Sequence, residues 1–126
     1  MKKLLALSAL GEGATGLVLL VYPPIATRLL LNETVAGAGS IVGRVAGIAL
    51  IALGAACWPG DDMRRGCIAM LIYSTIVMLL LGAAGVSGTA GILLWPAVAL
   101  HAALSILLVW AAWKQQIAEV GTEVQR

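Results

Sequence analysis

The chain has 126 residues, of which 61% are hydrophobic and 11% are charged, and its mean hydropathy is +1.01. A soluble domain of this size would expose too much apolar surface to stay dispersed, so the composition indicates a single-domain integral membrane protein. A net charge of +2, with no basic run on a polar face, argues against nucleic acid as a partner. Two cysteines and one histidine also exclude a secreted disulfide framework.

Four apolar stretches are long enough to cross a hydrocarbon core of about 30 Å, which needs about 20 helical residues. The first stretch follows a basic start, as a signal peptide does, but its apolar run is long enough to predict a retained span. Pro23 and Pro24 end this span, and Pro59 ends the second, because proline cannot continue a helix. The predicted fold is all-α, an integral membrane bundle of four transmembrane helices at about 4–22, 37–58, 65–86 and 91–113, followed by a cytoplasmic tail at 114–126.

The connections between the spans carry weaker signals. Residues 25–35 contain the apolar run IATRLLL with one arginine, which predicts a short amphipathic piece lying in the membrane interface. Asp61 or Asp62 is placed to cap the third span and to complement its dipole. Beyond the fourth span, residues 114–120 are expected to extend the helix by two turns until Gly121 ends it.

The basic residues predict the orientation of the bundle. With the N-terminus inside, only Arg28 lies outside the membrane on the far side, and Arg44 falls within a span. The remaining basic residues are then all cytoplasmic: Lys2, Lys3, Arg64, Arg65, Lys114 and Arg126. Because cytoplasmic loops carry an excess of Lys and Arg, both termini are expected on the cytoplasmic side. The membrane is expected to be a bacterial inner membrane, which the chain crosses several times.

Two glycine patterns lie within the predicted spans. Gly39, Gly43 and Gly47 form a small-xxx-small ladder, which lets helix backbones approach closely in lipid. Packing within the bundle is the favoured interpretation of this ladder, and a homodimer contact stays open. The second pattern, at residues 11–16, matches the G-x-G-x-x-G fingerprint of dinucleotide sites. That fingerprint needs a preceding strand in an aqueous βαβ unit, so a dinucleotide site is excluded here.

Polar residues inside the spans are the candidates for function, because an unpaired charge at mid-membrane costs at least ~2.5–3.5 kcal/mol. Glu12 lies midway along the first span, and at 1.5 Å per residue each other span carries one candidate at a similar depth: Arg44, Tyr73 and His101. We predict a Glu12–Arg44 ion pair. Tyr73 and His101 are expected to hydrogen-bond to this pair or to line an adjacent pocket. The protonation state of Glu12 then depends on whether Arg44 reaches it.

Three interpretations of this polar set stay open. It can fix helix register without any chemistry, it can line a pocket for a quinone or lipid-like molecule, or it can couple protons to small-molecule transport. No nucleophilic triad and no zinc-ligand spacing is visible, so no catalytic or metal residue is predicted. A single histidine cannot supply both axial ligands of a b-type haem. Cys57 and Cys67 are interpreted as buried small residues rather than a redox pair.

The second span carries the pattern of a known group. Residues 43–47, Gly-Arg-Val-Ala-Gly, followed by Leu50 and Leu53-Gly54, resemble small four-helix bacterial membrane proteins of the DoxX-like kind. The resemblance implies a non-enzymatic accessory role with another membrane subunit, or a quinone-associated one, and carries over no catalytic residue. Small multidrug transporters are similar in having four short helices and a carboxylate midway along the first. The charge bias and the intramembrane Arg44 depart from them, so transport is kept as the alternative.

Overall fold

The computed structural model describes residues 1–60 and 63–123. Within these residues the chain is helical and forms no strand, and its helices are α1 Lys2–Val21, α2 Pro23–Leu31, α3 Ala38–Ala56, α4 Met63–Val86 and α5 Leu94–Glu123. Four of them are long and apolar enough to cross a membrane, with Leu94–Lys114 as the spanning part of α5. The predicted all-α bundle with four spans is confirmed. The predicted caps Asp61 and Asp62 lie outside the described residues.

The two consecutive prolines separate α1 from α2. Tyr22 breaks the helix, and Pro23 and Pro24 occupy the first positions of α2, where a missing N–H costs no hydrogen bond. Asn32 ends α2 in the left-handed conformation, with φ 57°. The short amphipathic piece predicted at residues 25–35 is therefore helical for most of its length.

Close backbone contact through glycines joins α1 to α3. A Cβ built on Gly16 would lie 2.6 Å from the carbonyl oxygen of Gly47, and one built on Gly47 would lie 2.6 Å from the backbone nitrogen of Leu20. Further along, a Cβ on Gly54 would lie 2.6 Å from the carbonyl oxygen of Ala9. The two helices therefore run antiparallel with their backbones touching. The interpretation of this ladder as packing within the bundle is confirmed for Gly47.

A second antiparallel pair consists of α4 and α5. The Oγ1 of Thr75 lies 3.3 Å from the Oγ of Ser105, a hydrogen bond that joins the middle of the two helices. Near the start of α5, Leu94 fills the space beside Gly85, where a Cβ would come within 2.7 Å of the leucine side chain. The helix continues through Gly121 to Glu123, so the prediction that Gly121 ends it is wrong. A glycine inside a helix lowers its stability by only about 0.5–1 kcal/mol relative to alanine, and a helix that has already formed can continue through such a residue.

The two helix pairs are joined at both ends of the bundle. We call the end with Met1 and the α3–α4 turn the terminal end, and the opposite one the distal end. At the terminal end Leu5 of α1 packs in a buried cluster with Met70 of α4. At the distal end the backbone N–H of Gly91 donates to the carbonyl of Leu30 at 2.8 Å, which ties α2 to the α4–α5 connection. Between these two ends the backbones of α1 and α5 hardly approach each other.

Candidate functional site

A cleft of about 280 Å³ lies where α1 and α5 are separated, with Tyr73 of α4 contributing to its wall. Leu7 and Leu100 on its rim are 67% and 60% exposed, so the cleft opens sideways at the level of the apolar spans. Its lining combines leucines, one glycine and five polar or ionisable side chains: Leu7, Ser8, Gly11, Glu12, Thr15, Tyr73, Leu100, His101 and Leu104. In a bilayer this opening faces the lipid chains rather than water.

Glu12 is the buried carboxylate of this cleft. Its residue is 5% exposed, and the hydroxyl of Tyr73 donates a hydrogen bond to its carboxylate. The helical period explains the burial, since Leu5, Ser8 and Glu12 recur on the same inward face of α1. The tyrosine is thus the direct partner of the carboxylate, and the predicted convergence of α1 with α4 at this depth is observed.

His101 brings α5 to the same site. Its ring meets that of Tyr73 edge to face, with centroids 5.8 Å apart and an interplanar angle of 75°. The Nδ1 atom of His101 is buried and has no hydrogen-bond partner among the described residues. A buried polar atom without a partner is uncommon in proteins and often marks a functional position or an unfilled ligand site. The imidazole therefore leaves one hydrogen-bonding group free in the cleft wall.

The hydroxyl groups beside Glu12 donate hydrogen bonds to backbone carbonyls of their own helix, α1. Ser8 donates to the carbonyl of Leu4 at 3.0 Å, and Thr15 donates to the carbonyl of Gly11 at 2.9 Å. Both residues line the cleft with Glu12, because the i, i+4, i+7 spacing of Ser8, Glu12 and Thr15 places them on one side of α1. These hydroxyls still have acceptor capacity towards a ligand, because each oxygen has two lone pairs.

Arg44 does not belong to this site. Gly43, its neighbour, packs against Pro23, whose Cβ would lie 2.8 Å from a Cβ on the glycine. Pro23 follows Glu12 by eleven residues, which is about 16 Å along a helix axis. The side chain of Arg44 is exposed on α3. The predicted Glu12–Arg44 ion pair is therefore wrong, because α3 is shifted along α1 and residues at similar distances from the ends of their spans do not lie at the same level.

Sequence reasoning also missed part of the cleft. Leu7, Gly11, Leu100 and Leu104 shape its walls but carry no polar signal that would separate them from other apolar span residues. Only the separation of α1 from α5 turns them into a lining. Among these four residues, Gly11 could have been singled out from the sequence, because it has no side chain and directly precedes the carboxylate of Glu12.

A double-mutant cycle should distinguish the two possible partners of Glu12. Combining Glu12→Met with Tyr73→Phe is expected to show a coupling energy of about 1–2 kcal/mol, since one hydrogen bond joins the two side chains. Combining Glu12→Met with Arg44→Gln should be additive within about 0.5 kcal/mol. Unfolding in mixed detergent micelles measures both cycles. A coupling above about 1 kcal/mol between Glu12 and Arg44 would contradict the geometry described above.

The cleft thus opens sideways beside a hydrogen-bonded carboxylate and tyrosine, and its wall includes an imidazole whose buried Nδ1 has no partner among the described residues. Among the described residues, no three His, Cys, Asp or Glu side chains lie close enough to share a metal ion. Comparisons with protein-family models, with curated proteins and with solved structures found no match to this chain.

Proposed function

We propose that this protein is a non-enzymatic membrane subunit or binding module that holds the polar head of a quinone or another lipid-like molecule in the α1–α5 cleft. The observation that carries the proposal is the unpartnered, buried Nδ1 of His101 beside Glu12 and Tyr73 in a cleft that opens sideways. Ionisable residues inside membrane spans are expensive, and they usually mark functional sites.

The size of the cleft supports a ligand with a small head and a long apolar tail. Sites for small molecules usually measure about 300–1,000 Å³, and the cleft lies at the lower limit of that range. A ring-sized head fits such a volume, whereas a whole lipid does not. The tail would leave past Leu7 and Leu100 and lie among the lipid chains. A ligand of this kind could enter from the bilayer without crossing water.

The hydrogen-bonding groups support a head that carries carbonyl or hydroxyl oxygens. A neutral imidazole presents either an N–H donor or a bare nitrogen acceptor, depending on its tautomer. His101 could therefore donate to a quinone carbonyl or accept from a quinol hydroxyl. The Tyr73 hydroxyl is engaged with Glu12, so the pair offers the remaining carboxylate lone pairs as acceptors.

The surroundings support a place in a bacterial inner membrane with both termini cytoplasmic. The described basic residues at the ends of the spans concentrate at the terminal end of the bundle, in Lys2, Lys3, Arg64 and Arg65, whereas Arg28 of α2 lies at the distal end. The DoxX-like resemblance supports work alongside another membrane subunit or as a homodimer. The exposed apolar flanks of the four spanning helices would contact lipid or that partner.

Extraction of bound molecules tests the proposal most directly. Protein purified in a mild detergent should release a lipophilic molecule, roughly one per chain, detectable by mass spectrometry after organic extraction. His101→Ala should reduce the affinity for the ligand, and with it the recovered amount, by about five- to thirtyfold, because one polar contact in hydrocarbon is worth about 1–2 kcal/mol and the ligand loses it. Tyr22→Phe, outside the cleft, is the control and should change nothing. Recovery of equal amounts from His101→Ala, or of none from the wild type, would contradict the proposal.

Proton-coupled transport is a second candidate, favoured by one specific contact. The partner of Glu12 is a hydroxyl rather than a cation, and such a carboxylate can bind and release a proton within the membrane. This function requires that Glu12→Gln abolishes proton-coupled flux in liposomes while the protein still folds. If both His101→Ala and Glu12→Gln only lower thermal stability, with nothing bound or moved, the polar set serves structure alone.

A further inference from the structure

The sulfur atoms of this chain are concentrated at the terminal end of the bundle. The chain has two cysteines and four methionines. Cys57, Cys67 and Met70 are buried in one cluster around Leu5 and Leu108, and two more methionines pack against it: Met1 and Met63. Met78, further along α4, is the sulfur residue outside this group. We call the two cysteines and the three methionines other than Met78 the sulfur cluster, and they come from three parts of the chain: the N-terminus, the end of α3, and α4.

Both cysteines of the sulfur cluster are free and inaccessible to water. Cys57 is 1% exposed at the end of α3, and Cys67 is 3% exposed in the second turn of α4. Gly66 allows α4 to pass close to Cys57, since a Cβ on the glycine would lie 3.5 Å from the Cα of Cys57. The Sγ of Cys67 donates to the carbonyl oxygen of Leu108 at 3.7 Å, so the thiol points towards α5 within the cluster.

The sulfur cluster is distinct from the α1–α5 cleft. In the part of the chain that the structure describes, Tyr73 is the one cleft residue that also packs against the cluster. The remaining side chains around the sulfur atoms are aliphatic, among them Leu5 and Leu108. Among the residues that the structure describes, the ligands available at this place are therefore thiols and thioethers, without a carboxylate or imidazole.

We propose that the sulfur cluster binds one Cu(I) ion through the thiolates of Cys57 and Cys67, with thioether contact from Met70. Thiolate and thioether are the soft ligands that select Cu(I). Structural zinc instead takes four ligands from Cys, His, Asp and Glu, of which this cluster has two. Hard cations require oxygen ligands, which its side chains lack.

The binding step balances in protons and charge. Two S–H bonds break, their protons leave to the solvent, and two Cu–S bonds form without any change in the oxidation state of the metal. The resulting centre has a net charge of −1, from one Cu(I) and two thiolates. Sequestration from water protects Cu(I) from oxidation.

Competition with a chromogenic chelator measures the proposed site. The full-length protein in detergent, reduced and free of oxygen, is titrated with Cu(I) in the presence of bathocuproine disulfonate. We expect one Cu(I) per chain. Cys57→Ser and Cys67→Ser should each weaken binding at least about a hundredfold, since even loss of an outer contact costs 10- to 100-fold. Met70→Leu should weaken it roughly tenfold, and Met78→Leu, the matched control, should leave it unchanged.

A second measurement uses the wild-type protein alone, so it does not depend on variants that fold. Bound Ag(I), a redox-inert analogue of Cu(I), should protect both thiols from maleimide labelling in mild denaturant, as read by mass spectrometry. Equal labelling with and without Ag(I), or Cu(I) binding that survives loss of both cysteines, would overturn the proposal. The lipophilic molecule extracted from the cleft should be the same in Met70→Leu and in the wild type, which separates this site from the proposed function.

Discussion

Gly47→Val is expected to lower the free energy of unfolding by about 3 kcal/mol or more, because overpacking a rigid contact costs about 1–3 kcal/mol even where side chains can yield. Here the atoms that must yield are backbone. A Cβ on Gly47 would lie 2.6 Å from the nitrogen of Leu20, and neither helix can move without losing the contact. The branched valine adds two further carbons at the same place. Unfolding in mixed micelles, followed by circular dichroism, measures the loss.

The control for this substitution is Gly82→Val on α4. No heavy atom lies within 4 Å of the position that a Cβ on Gly82 would occupy. The new side chain points into open space, and the expected change in unfolding free energy is within about 1 kcal/mol. If Gly47→Val and Gly82→Val were equally stable, α1 and α3 could not be in backbone contact as described. Such a result would also contradict the helix packing that places Glu12 opposite α4.

Gly11→Trp is expected to reduce the amount of bound lipophilic molecule at least tenfold while the bundle stays folded. Gly11 lines the α1–α5 cleft, and no heavy atom lies within 4 Å of its Cβ position. An indole there would take up much of the 280 Å³ that the ligand head would need. Steric exclusion of this kind removes binding without touching Glu12, Tyr73 or His101. Organic extraction followed by mass spectrometry measures the loss.

Gly13→Trp is the matched control on the same helix. Gly13 also has an open Cβ position, but it lines the groove between α1 and α3 instead of the cleft. The same bulk added there should leave the recovered ligand unchanged. Equal ligand loss in both variants would mean that the ligand does not occupy the α1–α5 cleft. Equal retention in both would lead to the same conclusion.

The sequence alone determined the membrane class, the four spans and the places where they stop. These features depend on local properties: the length of an apolar run is set by the thickness of the hydrocarbon core, and Pro23, Pro24 and Pro59 interrupt helices wherever the chain goes. The side of α1 that lines the cleft was also predictable, since Ser8, Glu12 and Thr15 share a helical side. A local pattern could not reveal that α5 continues past Gly121, because a helix that is already formed tolerates a glycine.

Only the tertiary structure decided which polar residues meet. Glu12, Tyr73 and His101 lie at one site and Arg44 does not, although the sequence predicts similar depths in the membrane for all four residues. Axial shift and rotation of one helix against another are set by close packing, here at Gly16, Gly47 and Pro23. At 1.5 Å per residue, the eleven residues from Glu12 to Pro23, which packs beside Gly43, correspond to about 16 Å. The sulfur cluster also depends on helix packing. Its two cysteines lie at the end of α3 and in α4, and they come together only when these helices pack against each other.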